Sequence, residues 1–423
     1  MRDTVHPPLS TNLAPRQEAS PWAPLREPLF RSLWVAAVIS YVGTWMQNVG
    51  AGWLMTQLTM SPLMVSLVQA ASTMPVFLVM LPAGALADMV DRRRLLLITQ
   101  AWMVVAAALL GVVTLLEHMT PWILLLFTFL LGLGAVMNDP AWQAITPEIV
   151  SPRQHASAVA LNSVGFNVAR ALGPALGGLV ITLAGSGTAF LLNAASFFGV
   201  ILFLYRWKRP PSEDMARGSL RDAIGMGLRY VRTAAVVRCV LIRTAAFSLG
   251  ASSLLALLPL LARPHGATGY GLLLGSFGLG ALGGAACMPR LRSRLSVDGV
   301  VSFAIVVFAL MTFAAGQVHR FGPLSAVLFA SGTAWIGILA CLNVAAQTMS
   351  PIGLRARALS AYLLVLQGGM AAGSAFWGAV ASRLGVPMAL LCSALALVIG
   401  LAAVRRYRLT THELELAPSV VRD

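Results

Sequence analysis

One carboxylate stands apart in this sequence. Of its fifteen Asp and Glu residues, only Asp139 lies clearly inside a long apolar run. Nine fall in polar stretches, and Asp88, Asp91, Glu117, Glu148 and Asp298 sit at the edges of apolar runs. A carboxyl group in apolar surroundings is costly to keep charged, and so is suited to taking up and releasing a proton. Two bland roles fit Asp139 equally well: satisfying a helix break beside Pro140, or pairing permanently with Arg170. Arg170 is also lodged deep in an apolar run, where a guanidinium needs an anionic partner or a watery cavity. It could hold an anionic solute, alternate as a partner of Asp139, or form a static ion pair. Six amides fall in comparable runs: Gln47, Asn48, Asn138, Gln143, Asn343 and Gln347. They could bind a polar solute or join helices. Trp45 and Trp142 are placed to stack on an aromatic solute. Arg243, only a few residues inside its run, is expected to snorkel to the interface.

The elements that must position these groups are membrane helices. Hydrophobic residues make up 58% of the 423 and charged residues 11%, against about 25% charged in a soluble domain. The apolar residues come in runs of roughly 20, the length of a helix crossing a bilayer. Alternating segments of barrel type are absent. The runs fall near 32–56, 63–87, 95–116, 122–146, 155–183, 187–206, 238–262, 269–290, 297–318, 322–348, 357–382 and 386–405. The expected fold is therefore all-α and polytopic, with about twelve spans. The expected organisation is a disordered tail (1–29), a six-helix bundle (30–206), a linker (207–237), a second six-helix bundle (238–408) and a tail (409–423).

The halves repeat each other. Asn138 and Gln143 precede Thr146-Pro147 and Ser151-Pro152-Arg153, while Asn343 and Gln347 precede Ser350-Pro351 and Arg355. Two same-orientation repeats imply a pseudo-two-fold axis along the membrane normal. The linker opens Trp207-Lys208-Arg209-Pro210-Pro211. Its Leu220, Ala223, Ile224, Gly227, Leu228 and Val231, interleaved with Arg221, Arg229 and Arg232, suit a basic amphipathic helix on the membrane surface. A plain tether fits as well.

The net charge of +15 is a topology signal. With the N-terminus in the cytoplasm, 25 of the 30 basic residues fall on the cytoplasmic side. Only Arg263, Arg320 and Arg383 fall outside, and Arg170 and Arg243 lie within spans. So strong a bias places both termini in the cytoplasm of a cytoplasmic-membrane protein. It argues against nucleic acid and leaves lipid as the partner of the basic surface.

Several chemistries are excluded. Lys208 is the only lysine, so there is no phosphate loop of Gly-x-x-x-x-Gly-Lys type. No nucleophile and base are arranged for catalysis. Cys239, Cys287, Cys341 and Cys392 lack metal or redox spacing. No enzyme activity, cofactor or metal is expected.

Two motifs carry a resemblance. Gly84-Ala85-Leu86-Ala87-Asp88-Met89-Val90-Asp91-Arg92-Arg93-Arg94 resembles the signature loop between spans two and three of the major facilitator superfamily. Asp91 stands where that pattern has glycine. The resemblance implies a conformational latch of Gly84, Asp88, Arg92 and Arg93 that holds the outward-open state. The second copy, Gly283-Gly284 through Arg290, Arg292 and Arg294, lacks the aspartate and should latch weakly or not at all. Gly173-Pro174-Ala175-Leu176-Gly177-Gly178 resembles the Gly-Pro-x-x-Gly-Gly pattern of the superfamily's antiporters, mainly exporters. Its glycines also suit ordinary close packing. Trp45-Met46-Gln47, Asn138 to Gln143 with Pro147-Glu148, Ala158 to Asn162 and Arg170 to Pro174 resemble the enterobactin-exporter-like (transmembrane secretion effector) branch.

The expectation is a major facilitator transporter that exports small amphipathic or anionic molecules, siderophore- or drug-like, by alternating access. Proton antiport through Asp139 is the expected drive, and a monomer in lipid the expected state. If Asp139 is structural, uniport or a proton site at Glu148 would replace it. The rivals are a lipid-like flippase, a passive channel, and a non-transporting receptor or scaffold on the same fold.

Overall fold

The computed structural model describes residues 20–207, 235–348 and 355–404. The amphipathic segment proposed for the linker, the Ser350-Pro351 repeat and the C-terminal tail lie outside the described residues, as does most of the N-terminal tail.

Among the described residues, eleven helices are long and apolar enough to cross a membrane. They include α1 (Pro28–Leu58), α2 (Pro62–Met89), α3 (Arg92–Leu115) and α4 (Pro121–Ile149). The fifth, His155–Arg206, has 52 residues and a non-helical glycine, Gly185, at φ 81° and ψ 165°. At helical rise it would be ~78 Å long, far beyond a core of about 30 Å. The chain reverses at Gly185, giving α5 (155–184) and α6 (186–206), so the described residues make twelve crossings. The second half holds α7 (Ala235–Leu261), α8 (Gly266–Arg292), α9 (Val297–Gln317), α10 (Phe321–Thr348), α11 (Arg355–Leu384) and α12 (Val386–Ala403). Before α1, Ala23–Arg26 forms a 3-10 turn.

Local sequence chemistry sets the helix starts. Proline opens α1, α2 and α4, where its missing N–H costs nothing. The Asp91 carboxylate accepts from the Arg94 backbone N–H at 2.8 Å and caps α3. That is the work of the aspartate found where glycine was expected. Thr120 and Ser296 cap α4 and α9 in the same way. Gly185 has a counterpart in Gly385, at φ 83° and ψ 160° between α11 and α12. The two halves thus reverse at matching points, as two copies of one repeat would.

Solvent preference is inverted, as lipid requires. On α3 the stripe Ile98, Trp102, Val105, Leu109 and Val112 is exposed, while Leu96, Met103, Ala107 and Leu110 are buried. Packing between the halves is carried chiefly by α5 on α8 and α2 on α11, with α2 on α7. The end with the α2–α3 and α8–α9 connections and their arginines is the arginine-rich end; the other is the arginine-poor end.

Candidate functional site

Between the halves lies a cavity of ≈ 200 Å³. The first half lines it with Trp45 and Asn48 of α1, Gln69 and Ser72 of α2, Thr128 of α4, and Arg170 and Pro174 of α5. The second half adds Leu255 and Pro259 of α7 and Tyr270 and Phe277 of α8. It is a mainly apolar chamber with a few hydroxyl and amide groups and one cation. The Arg170 guanidinium carbon lies 5.9 Å from the centre of the Phe277 ring, within cation–π range. Among the described residues no carboxylate pairs with Arg170, so the static Asp139–Arg170 ion pair is not formed.

Asp139 is exposed on α4. It follows Thr128 by eleven residues, about three turns, and so shares that residue's helical face, but it is not among the residues that line the cavity. Tyr41 of α1 lies within electrostatic reach of Asp139, and its phenol also meets Trp142. The Tyr41 ring packs edge-on against Phe166 at 5.4 Å.

The six amides separate. Asn48 lines the cavity. Gln47 is buried and accepts from Asn193 Nδ2 of α6 at 2.5 Å. Asn138 is buried and accepts from Thr99 Oγ1 at 3.1 Å and Gln100 Nε2 at 3.2 Å, which joins α4 to α3. Gln347 Nε2 donates to Asn343 Oδ1 within α10 at 2.5 Å. Gln143 is exposed nearer the arginine-rich end of α4. Gln69, Ser72, Tyr270 and Phe277 escaped the sequence reading, since nothing local distinguishes them from packing residues. Arg243 does not snorkel: it is 3% exposed and paired with Asp298 at the start of α9, an acid that only the fold brings near.

The glycine motif divides between two tasks. A Cβ on Gly173 would lie 2.6 Å from Trp45 Cβ, and one on Gly177 would lie 2.7 Å from Met46 Cα, both in α1 of the same half. A Cβ on Gly178 would lie 2.5 Å from Ala267 O of α8, in the other half. Pro174 adds its carbonyl to the same seam, against Gly271.

In the signature loop, Arg92 meets Glu148 of α4 at 2.8 Å. Arg93 donates to Leu204 O at 2.7 Å and Tyr205 O at 2.9 Å, capping the end of α6. A Cβ on Gly84 would meet open space. Asp88 lies in the last turn of α2, and its side chain is outside the described residues.

A family model described as transmembrane secretion effector matches residues 19–421. The chain belongs to this family. Transmembrane secretion effectors fall within the major facilitator superfamily, so the protein is a multi-pass membrane protein of a transporter family. It is 27% identical over 316 residues to the enterobactin exporter EntS of Salmonella typhimurium, covering 71% of this chain and 75% of that one. It is 27% identical to the staphyloferrin A transporter of Staphylococcus aureus, covering 40% of this chain, and 29% identical to the multidrug efflux pump Tap of Mycolicibacterium fortuitum, covering 50%. The chain spans 42% and 54% of the length of those two relatives. Among solved structures, the nucleoside transporter NupG matches with a TM-score of 0.74 at 14% identity, covering 90% of this chain and 99% of that one. A bacterial homologue of the human lysosomal transporter Spinster matches with a TM-score of 0.72 at 14% identity, covering 91% and 97%. These two likenesses establish that this secretion effector has the major facilitator fold.

Proposed function

We propose that this secretion effector exports small amphipathic anions, siderophore- or drug-like, across the cytoplasmic membrane of a bacterium by proton-coupled alternating access. The observation that carries the reading is Arg170, a cation without a carboxylate partner among the described residues, facing a mainly apolar chamber between the halves. An amphipathic anion would place its charge on the guanidinium and its apolar body against Trp45 and Phe277. Export is supported by the likeness to the enterobactin exporter EntS and the multidrug efflux pump Tap and by the Gly173–Gly178 pattern. The arginine distribution supports cytoplasmic termini, with the arginine-rich end inside the cell. The halves are bound together at the arginine-poor end, so we read this state as open to the cytoplasm. Gly84 in open space fits that reading, because the latch of Gly84, Asp88, Arg92 and Arg93 would engage when the cytoplasmic end closes. Asp139, on the same face of α4 as Thr128, is the proton site in this scheme, and the protein works as a monomer.

The test is retention of anionic and neutral fluorescent drugs and of siderophores in an efflux-deficient host. Wild type should lower retention relative to empty vector, and both an uncoupler and Asp139→Asn should abolish the effect at equal expression. Arg170→Gln should raise the half-saturating concentration of anionic probes roughly ten- to a hundredfold, the worth of one charge-assisted contact. Neutral probes should be spared. Wild-type export by Asp139→Asn removes it as the coupling residue. Equal losses for neutral and anionic probes remove the anion site. Retention equal to vector across a broad panel removes export.

A further inference from the structure

Arg263, one of three basic residues that the charge distribution places at the arginine-poor end, has a defined partner there. It sits in the short 3-10 turn Arg263–His265 between α7 and α8 of the second half. Its Nη2 donates to Thr56 O at 2.6 Å and Thr59 O at 2.9 Å, and its Nη1 reaches Met60 Sδ at 3.3 Å. Thr56 lies in the last turn of α1, Thr59 is its C-cap residue and Met60 follows it, all in the first half. The last carbonyls of a helix have no partner within it and form the negative end of its dipole. Arg263 therefore caps a helix of the opposite half, a bond that exists only while this end is shut.

The neighbouring links between the halves are neutral. Thr182 and Thr268 share a hydrogen bond at 2.8 Å, and Leu63 N–H donates to Ser382 Oγ at 3.0 Å. The arginine is the charged member of the set: its Nη2 holds both carbonyls, with N–H directions fixed by the guanidinium plane, whereas a lysine ammonium would have to orient its rotatable donors. Because the acceptors are backbone carbonyls, the contact is tied to the course of α1 rather than to a partner side chain.

We propose that Arg263 is the clamp of the arginine-poor gate: it holds that end closed by capping α1, and its release accompanies opening. The proposal rests on the alternating-access reading and is independent of substrate, coupling ion and direction.

The experiment replaces Cys239, Cys287, Cys341 and Cys392 and places a reporter in the cavity by Ser72→Cys. A membrane-impermeant maleimide is applied from each side, using intact cells and inverted vesicles. Arg263→Ala should speed labelling from the arginine-poor side roughly tenfold, the size of one favourable charge–helix-terminus contact. It should slow labelling from the arginine-rich side, which also shows that the variant is folded. Arg263→Lys, which keeps the charge and loses the fixed guanidinium plane, should give an intermediate rate. If the reporter is labelled from both sides and both variants match the parent, the clamp is overturned. Should Arg263→Ala fail to fold, an unchanged rate in Arg263→Lys overturns it equally. If the reporter is reachable from one side alone in every variant, Gly178→Ala included, alternating access is refuted and the clamp falls with it.

Discussion

Gly178 and Gly177 are neighbours that face different halves, and alanine at each should have different consequences. At Gly178 the new Cβ would lie 2.5 Å from Ala267 O and 3.0 Å from Thr268 Cα. Both are backbone atoms and cannot rotate aside. Overpacking of this kind costs about 1–3 kcal/mol. The clash exists only while α5 and α8 are together at the arginine-poor end, so the cost falls on that state alone. The closed-to-open ratio should therefore fall by roughly 5- to 150-fold. At Gly177 the Cβ would lie 2.7 Å from Met46 Cα, within the same half. That clash persists in both states. Gly177→Ala should therefore change unfolding stability and leave the ratio alone. Alanine's gain in helix propensity, about 1 kcal/mol, is common to both variants and states. Spin labels at the exposed Leu183 and Leu384, one in each half at this end, would read the ratio as a distance distribution. Distances for Gly178→Ala that match the parent would refute the reasoning, as would an equal shift in Gly177→Ala.

Two further predictions concern stability. Asn138→Ala strips Thr99 and Gln100 of a shared acceptor in a buried site. It should cost about 1–3 kcal/mol in thermal unfolding while leaving probe affinity unchanged; a lost affinity with normal stability would return Asn138 to the cavity wall. Gly185→Ala and Gly385→Ala each force a side chain into backbone angles nearly reserved for glycine, and should cost similar amounts of about 1–3 kcal/mol. A large cost at one and none at the other would contradict the repeat.

The number of spans and the two-fold repeat could be read from the sequence because apolar run length and break residues are local signals. The break between 155–183 and 187–206 fell where Gly185 turns the chain. Rotational phase was not legible. Most of these helices are apolar on every face, so pattern cannot say which face meets lipid, neighbour or cavity. Gln47 and Asn48 are adjacent and have opposite fates, one tied to Asn193 and one on the cavity. The same blindness concealed Arg243. Its acid, Asp298, lies far along the chain and meets it only when α7 and α9 pack. Asp91 was the opposite case: a departure from the family pattern whose reason, a helix cap, is written in the next three residues.

The single-residue reversals at Gly185 and Gly385 have a mechanical consequence. The interface helices α5 and α11 each continue into the next helix, α6 or α12, with no slack in the connection. A tilt of an interface helix must carry the far end of its partner with it. Each half is thus strung on a taut corner, which favours rocking as a block over bending helix by helix. A soluble insertion at either corner should jam the motion even in a protein that still reaches the membrane.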